Sequence, residues 1–221
     1  MMVEALTIYL WSHGMLPKLR LILITFTLGG LASMPLQAKT ILIVGDSISA
    51  AYGMSPEQGW VKLLQQRIEQ KYPKQHRVVN ASVSGETTSG ALARLPKLLS
   101  TYKPEIVVIE LGGNDGLRGQ PPQLIQKNLS QLVQLSKNSK AQVLLFGMKI
   151  PPNYGTSYSK AFENNYQVVA KQHNIQLLPF FLEGVAGNNA LMQSDLIHPN
   201  VKAQSKLLDS AWKYIEPSLK K

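Results

Sequence analysis

Residues 40–49 read Thr-Ile-Leu-Ile-Val-Gly-Asp-Ser-Ile-Ser, and the fold turns on them. Ile41, Leu42, Ile43 and Val44 are an unbroken apolar run rich in β-branched side chains. Such a run reads as a short strand covered on both faces, as strands inside a parallel sheet are. Gly45, Asp46 and Ser47 follow at once. Open α/β sheets place their chemistry where a buried strand ends, so Ser47 is a candidate nucleophile. The plainer alternative is that Asp46 and Ser47 cap the next turn.

The remainder of the chain alternates in the same way. Ser55-Pro56-Glu57 offers a helix start with an N-cap and a proline at the first position. Trp60, Leu63, Leu64 and Ile68 then recur at helical spacing as far as Tyr72, and Pro73 ends the run. A second strand is expected over 77–81, followed by a capping turn at 84–87. The next helix carries Leu92, Leu95, Leu98 and Leu99. A third strand spans 105–111 and gives way to a loop, Gly112-Gly113-Asn114-Asp115-Gly116. Residues 121–138 form a helix with Leu124, Leu132 and Leu135 on its apolar side. A fourth strand, 142–146, leads to a proline-bearing loop over 148–158 and a helix to Lys171. A short fifth strand, 175–178, precedes a long loop and a final helix with Ala203, Leu207, Leu208, Ala211 and Trp212. Strands alternating with helices predict an α/β fold: a three-layer α/β/α sandwich on a parallel sheet of about five strands with right-handed crossovers.

The chain has 221 residues, room for one domain with a sizeable core. It has no cysteine, which excludes disulfides, thiolate metal sites and a cysteine nucleophile. The formal charge is +10, but the basic residues are scattered and not interleaved with aromatics. Nucleic acid is therefore not an expected partner, and peripheral contact with an anionic membrane is the more natural consequence. Lys18 and Arg20 precede the apolar run 21–31, and Leu36-Gln37-Ala38 follows it, the pattern of a secretory signal peptide. Residues 1–38 are read as that leader, with Met15 as an alternative start. Residues 39–221 are read as one mature domain, expected to be a periplasmic monomer.

A nucleophilic serine needs a base, and the chain has four histidines. His13 lies in the leader. His76 precedes the second strand, at the opposite edge of the sheet, and His173 closes a helix, where the dipole would stabilise its charged form. His198 remains, in Ser194-Asp195-Leu196-Ile197-His198-Pro199, where Asp195 stands three residues before it. One loop can thus present a base and its orienting carboxylate. Two alternatives stay open here: a simple turn before the last helix, and a two-ligand metal site, for which no third ligand stands at a recognisable spacing.

Gly45-Asp46-Ser47, Gly85, Gly112-Gly113-Asn114-Asp115 and Asp195-Leu196-Ile197-His198-Pro199 resemble, in order, the four sequence blocks that define the GDSL/SGNH hydrolase superfamily. Residues 80–99, 111–119 and 198–204 look like its bacterial multifunctional acyl-CoA thioesterase I / protease I / lysophospholipase group. Ile48 stands where the family name expects leucine, and Leu196 where close relatives often carry glycine. The resemblance implies the flavodoxin-like SGNH-hydrolase fold over 39–221 and a secreted, cofactor-free serine hydrolase. Its substrates would be acyl esters, acyl thioesters or lysophospholipids. It implies that Ser47 attacks the acyl carbon, that His198 moves the proton and that Asp195 orients the imidazole. An oxyanion would be held by the backbone N–H groups of Ser47 and Gly85 and by the Asn114 amide, with no metal.

Asp46 and Asp115 are expected to be structural hydrogen-bonding groups. Arg118 would meet a substrate anion or stay solvated. Leu117 and Tyr154 are expected to line an acyl-chain site, on loops after the third and fourth strands with Gly116 and Gly119 as hinges. A carbohydrate or peptidoglycan O-acetyl esterase is the alternative enzyme. A non-catalytic flavodoxin-like module binding an acyl or nucleotide ligand is the alternative of another class. The latter lacks a phosphate-cradling glycine loop after the first strand.

Overall fold

The structure, a computed structural model, describes residues 38–220. The expected leader thus lies outside the described residues except for Ala38. Five strands, β1 (Thr40–Gly45), β2 (Arg77–Asn80), β3 (Ile106–Glu110), β4 (Gln142–Phe146) and β5 (Gln176–Leu178), pair in parallel in the order β2-β1-β3-β4-β5. This is the flavodoxin-like order. Residues 41–44 have no exposed surface, and β3 is buried along its whole length. Both strands read as continuous apolar runs because both of their faces are covered. The edge strand β2 is only half-covered and carries Arg77 and Asn80 at its ends.

The helices are α1 (Trp60–Lys71), α2 (Thr88–Tyr102), α3 (Gly113–Leu117), α4 (Pro122–Asn138), α5 (Thr156–His173) and α6 (Gln204–Leu219). α1 packs with α6, whereas α4 packs with both α2 and α5, which gives the two outer layers. α1 buries Trp60, Val61, Leu64 and Ile68. The Trp60 ring meets Phe181 edge-on at 5.2 Å between centroids.

Three local readings are corrected. Residues 56–58 form a separate 3₁₀ turn, and the Ser55 side chain makes no cap bond. Extended Gly59 breaks the run, and the buried Trp60 N–H is met from the far end of the chain, by Gln204 Oε1 at 3.0 Å. Leu124 lies outside the apolar stripe of α4 and is exposed; the stripe runs through Ile125, Leu129, Leu132, Val133 and Ser136. Leu124 sits one position, about a quarter-turn, off that row. The glycine-rich stretch after β3 is the short helix α3 and not a loop. A Cβ on Gly116 would lie 2.7 Å from both Ile150 Cγ2 and Phe162 Cε2. Glycine there serves close packing against the next layer, so Gly116 is not a free hinge.

Between β1 and β3 the strand order changes direction. The chains leaving these two strands diverge and open a crevice at the carboxyl edge, where a doubly wound sheet receives ligands. Ser47 stands on one side of it and Asn114 on the other.

Candidate active site

Ser47 and His198 are 151 residues apart in sequence, yet His198 Nε2 lies 2.9 Å from Ser47 Oγ. The other ring nitrogen, Nδ1, lies 2.6 Å from Asp195 Oδ2. Asp195 Oδ1 accepts the backbone N–H groups of Ile197 at 2.9 Å and His198 at 3.0 Å. Partial burial works against the Asp195 charge, but the His198 N–H, the His198 ring and the Ile197 N–H outweigh it and lower the carboxyl from 3.8 to about 2. The carboxylate therefore stays ionised, and a proton held on Nδ1 against it would leave the Nε2 lone pair facing the serine hydroxyl.

The loop that carries Asp195 and His198 is braced through Gln193. Its N–H donates to His198 O at 2.7 Å, and its side-chain amide donates to Pro199 O at 3.1 Å and Tyr52 O at 2.8 Å. Tyr52 N–H in turn donates to Ser47 O at 3.0 Å. One glutamine thus ties the turn after Ser47 to the turn around His198.

Across the crevice, Asn114 and Gly85 stand on a buried polar frame. Asp46 Oδ2 accepts the Asn114 side-chain amide at 3.3 Å, and Asp46 Oδ1 accepts the Ile48 N–H at 3.0 Å. Asp115 caps α2: it accepts the Thr88 N–H at 2.9 Å and the Thr88 hydroxyl at 2.6 Å, and Asn128 donates to that same hydroxyl at 3.0 Å. A carboxylate at a helix N-terminus is electrostatically favoured. Both acids therefore act as structural hydrogen-bonding groups. Gly85 has φ +78°, a left-handed backbone that favours glycine, although a Cβ there would meet only Arg118 Nη2 at 3.8 Å. Backbone conformation, more than space, calls for glycine at 85.

Another buried carboxyl meets Ser49, two residues after Ser47. Glu110, at the end of β3, is fully buried; its Oε2 accepts the Ser49 hydroxyl at 2.6 Å, and the Trp60 indole N–H donates to Ser49 Oγ at 3.2 Å. Burial, reinforced by nearby Asp46, pushes the Glu110 carboxyl well above the usual range. Burial also raises Asp46, from 3.8 to about 6, against the bonds from Ile48 and Asn114. Two carboxyls this close do not both ionise readily, and the deeper one keeps its proton.

The other expected residues fall as follows. The Tyr154 hydroxyl donates to Leu117 O at 2.8 Å, and that of Tyr158 to Gln120 O at 2.7 Å, so the segment after Asn114 is tied down by two tyrosines. Arg118 donates to Gly85 O at 3.2 Å and braces the loop that carries that glycine. His76 Nδ1 accepts the Lys39 N–H at 3.1 Å beside β2, away from the crevice. His173 Nε2 lies 2.7 Å from Ser130 Oγ. His173 stands in the last turn of α5, where burial and the Lys137 charge lower its pKa. Among the described residues, no group of three His, Cys, Asp or Glu side chains is placed to hold a metal ion.

Sequence reasoning missed Tyr52, Gln193, Thr88 and Glu110. Only Glu110 carried a signal, as a charged residue closing a strand otherwise wholly apolar.

Residues 43–206 match the model of the GDSL-like lipase/acylhydrolase family. The chain is 53% identical over 183 residues to esterase TesA of Pseudomonas aeruginosa, covering 82% of this chain and 90% of that one. It is 44% identical over 202 residues to the thioesterase 1/protease 1/lysophospholipase L1 of Escherichia coli, covering 91% and 92%. Among solved structures it is similar to the psychrotrophic esterase EstA from Pseudoalteromonas, inhibited by monoethylphosphonate. That structure is 46% identical, with a TM-score of 0.79, over 83% of this chain and 100% of that one. With more than half of its length matched by the family model, the chain belongs to the GDSL-like lipase/acylhydrolase family and is a hydrolase.

Proposed function

We propose that this chain is a secreted serine hydrolase that cleaves acyl esters and acyl thioesters, lysophospholipids among them, through an acyl-enzyme. The observation that carries the reading is the line of contacts Ser47 Oγ to His198 Nε2, 2.9 Å, and His198 Nδ1 to Asp195, 2.6 Å. Esterase, thioesterase and lysophospholipase names among the relatives support it.

In the first half-reaction Ser47 Oγ bonds to the acyl carbon while its proton passes to His198 Nε2. The carbonyl oxygen becomes an oxyanion, which takes hydrogen bonds from the backbone N–H groups of Ser47 and Gly85 and from the Asn114 amide. Asp46 holds that amide by one of its hydrogens, which leaves the other for the substrate. As the carbon–oxygen or carbon–sulfur bond breaks, Nε2 gives its proton to the leaving atom. A water then gives a proton to Nε2, attacks the acyl-enzyme and releases the acid, and Ser47 recovers its proton.

Leu117 and Tyr154 would flank the acyl chain, bound to each other through the tyrosine hydroxyl. Residues 1–38 would direct the chain to the periplasm. The test is a panel of aryl esters, acyl thioesters and lysophospholipids against the purified protein and its Ser47→Ala variant. Hydrolysis is expected in the first and not the second, with a serine-directed phosphonate labelling Ser47 alone. Labelling of another serine rejects the assignment.

A further inference from the structure

We propose that Tyr52, Leu196 and Ile197 form a leaving-group subsite, an apolar rim that selects esters of aryl and larger alkyl alcohols over esters of small or strongly polar ones. The proposal rests on the Ser47–His198 reading and names which part of the substrate meets which part of the site.

Chemistry sets the position. The nitrogen that accepts the serine proton must later deliver it to the leaving oxygen or sulfur, so that atom has to come within hydrogen-bond reach of His198 Nε2. The body of the leaving group then lies on the histidine side of the crevice. The Tyr52 ring packs against the imidazole at 4.5 Å between centroids, tilted by 40°, and is 50% exposed. Leu196 and Ile197, immediately before His198, are 60% and 44% exposed. Only Val83, Leu124 and Val201 are comparably exposed large apolar residues among those described. Of these, Val83 lies two residues before Gly85 and Val201 three after His198. Exposed apolar side chains scattered singly need no explanation, whereas a cluster around one site marks a place where a ligand is covered.

Leu196 adds an independent observation. Its backbone φ is +57°, a conformation that suits glycine or asparagine and strains a leucine. A strained residue persists where something over-determines it. Its side chain, largely in solvent, gains too little packing within the fold to supply that reason. The loop could make its Asp195 turn with a glycine at 196, so the leucine is accounted for by contact with a ligand. Its neighbour Asp195 offers no countercharge to a polar leaving group, because its oxygens are taken by His198 and Ile197.

The experiment varies one end of the substrate at a time. With butyrate fixed, methyl, butyl and benzyl esters are compared; with the benzyl alcohol fixed, the acyl chain runs from acetyl to octanoyl. The variants are Leu196→Gly and Tyr52→Ala, with Leu124→Ala as an exposed leucine outside the site. Leu196→Gly is expected to lower the benzyl-to-methyl ratio of kcat/KM by about tenfold, the scale of a lost apolar contact. It should shift all acyl lengths in parallel and raise the thermal midpoint by relieving the backbone. Leu124→Ala is expected to move neither series. An unchanged benzyl-to-methyl ratio in an enzyme that still depends on Ser47 overturns the subsite alone. A change confined to the acyl series overturns it too, and makes Leu196 part of the acyl wall. A binding arm needs no turnover: benzyl alcohol is titrated into Ser47→Ala while the Leu196 and Ile197 methyl resonances are followed by NMR. They are expected to move with benzyl alcohol and not with methanol. Perturbation only of Leu117 or Tyr154 would place the alcohol elsewhere and reject the proposal, whether or not Ser47 is the nucleophile.

Discussion

Ser47 stands between two flanks built on opposite plans. On one, Asn114 and Gly85 rest on groups buried in the fold: Asp46 holds the Asn114 amide, Asp115 closes α2, and Glu110 meets Ser49. On the other, Asp195 and His198 sit in a largely exposed turn held by backbone N–H groups and by Gln193. Their carboxyls respond in opposite directions. Asp46, almost wholly buried and with two donors, is pushed up to about 6, whereas Asp195, far less buried and with three, is brought down to about 2. The count of N–H donors, set against burial, decides whether an acid keeps its proton. In the proposed mechanism the frame side would keep the Asn114 amide stationary, and the loop side would keep His198 beside an ionised carboxylate.

The sharpest way to break both flanks together is to remove what lies between them. Ser47→Ala is expected to lose up to about 10⁶-fold in turnover. His198→Ala should do comparable damage, whereas His76→Ala and His173→Ala, with no contact to the relay, should leave ester hydrolysis intact. Equal damage from His173→Ala in a folded protein would show the wrong histidine has been chosen.

Damage to the frame side alone should be smaller. Asn114→Ala is expected to lower kcat by about 10²–10³-fold with a lesser effect on KM, because its bond strengthens as charge develops. A change in KM only would make Asn114 a substrate-binding residue. Cutting the frame deeper should register as stability. Thr88→Val removes one donor from Asp115 and the acceptor of Asn128, and is expected to cost about 1–3 kcal/mol in urea unfolding. Gln193→Ala, on the loop side, is expected to lower kcat about tenfold, one power of ten being about 1.4 kcal/mol. Its unfolding midpoint should barely move; a large drop would put Gln193 in the frame.

The smallest effects, which separate the two flanks by sign, are in pH. Asp46 binds its proton more tightly folded than unfolded, so its favourable contribution is complete below 3.8 and is lost as pH rises through about 6. Asp195 is the reverse: its contribution is complete above 3.8 and is lost as pH falls through about 2. Asp46→Asn should flatten the first slope and Asp195→Asn the second, read from urea midpoints across that range. Interchanged slopes would mean that the two acids have been given each other's environments.

The frame and the relay were not equally legible in the sequence. β1 was, because four adjacent apolar residues before Gly-Asp-Ser admit few other readings, and the alternation of strands and helices then carried the sheet. The relay residues stood in short motifs, so elimination among the histidines reached His198. The supporting residues are a different matter. Thr88 and Gln193 act through contacts with residues far away in sequence, and no local pattern marks a side chain whose partners come from another layer. α3 was hidden because glycine is a poor helix former, and its helix depends on packing against Ile150 and Phe162. Ser55 carried a helix-start signal that tertiary structure overrode, since the Trp60 N–H found Gln204 in place of a local cap.

That bond to Gln204 has a consequence in time. The first turn of α1 is completed by a side chain 144 residues later, and the base and its acid also arrive in the last stretch of chain. A chain growing from a ribosome carries Ser47 early, but has neither a partner for it nor a closed α1 until the final helix is made. Contacts this distant cannot form by local folding. If Ser47 and His198 act as proposed, chains ended before this stretch are expected to show no hydrolysis.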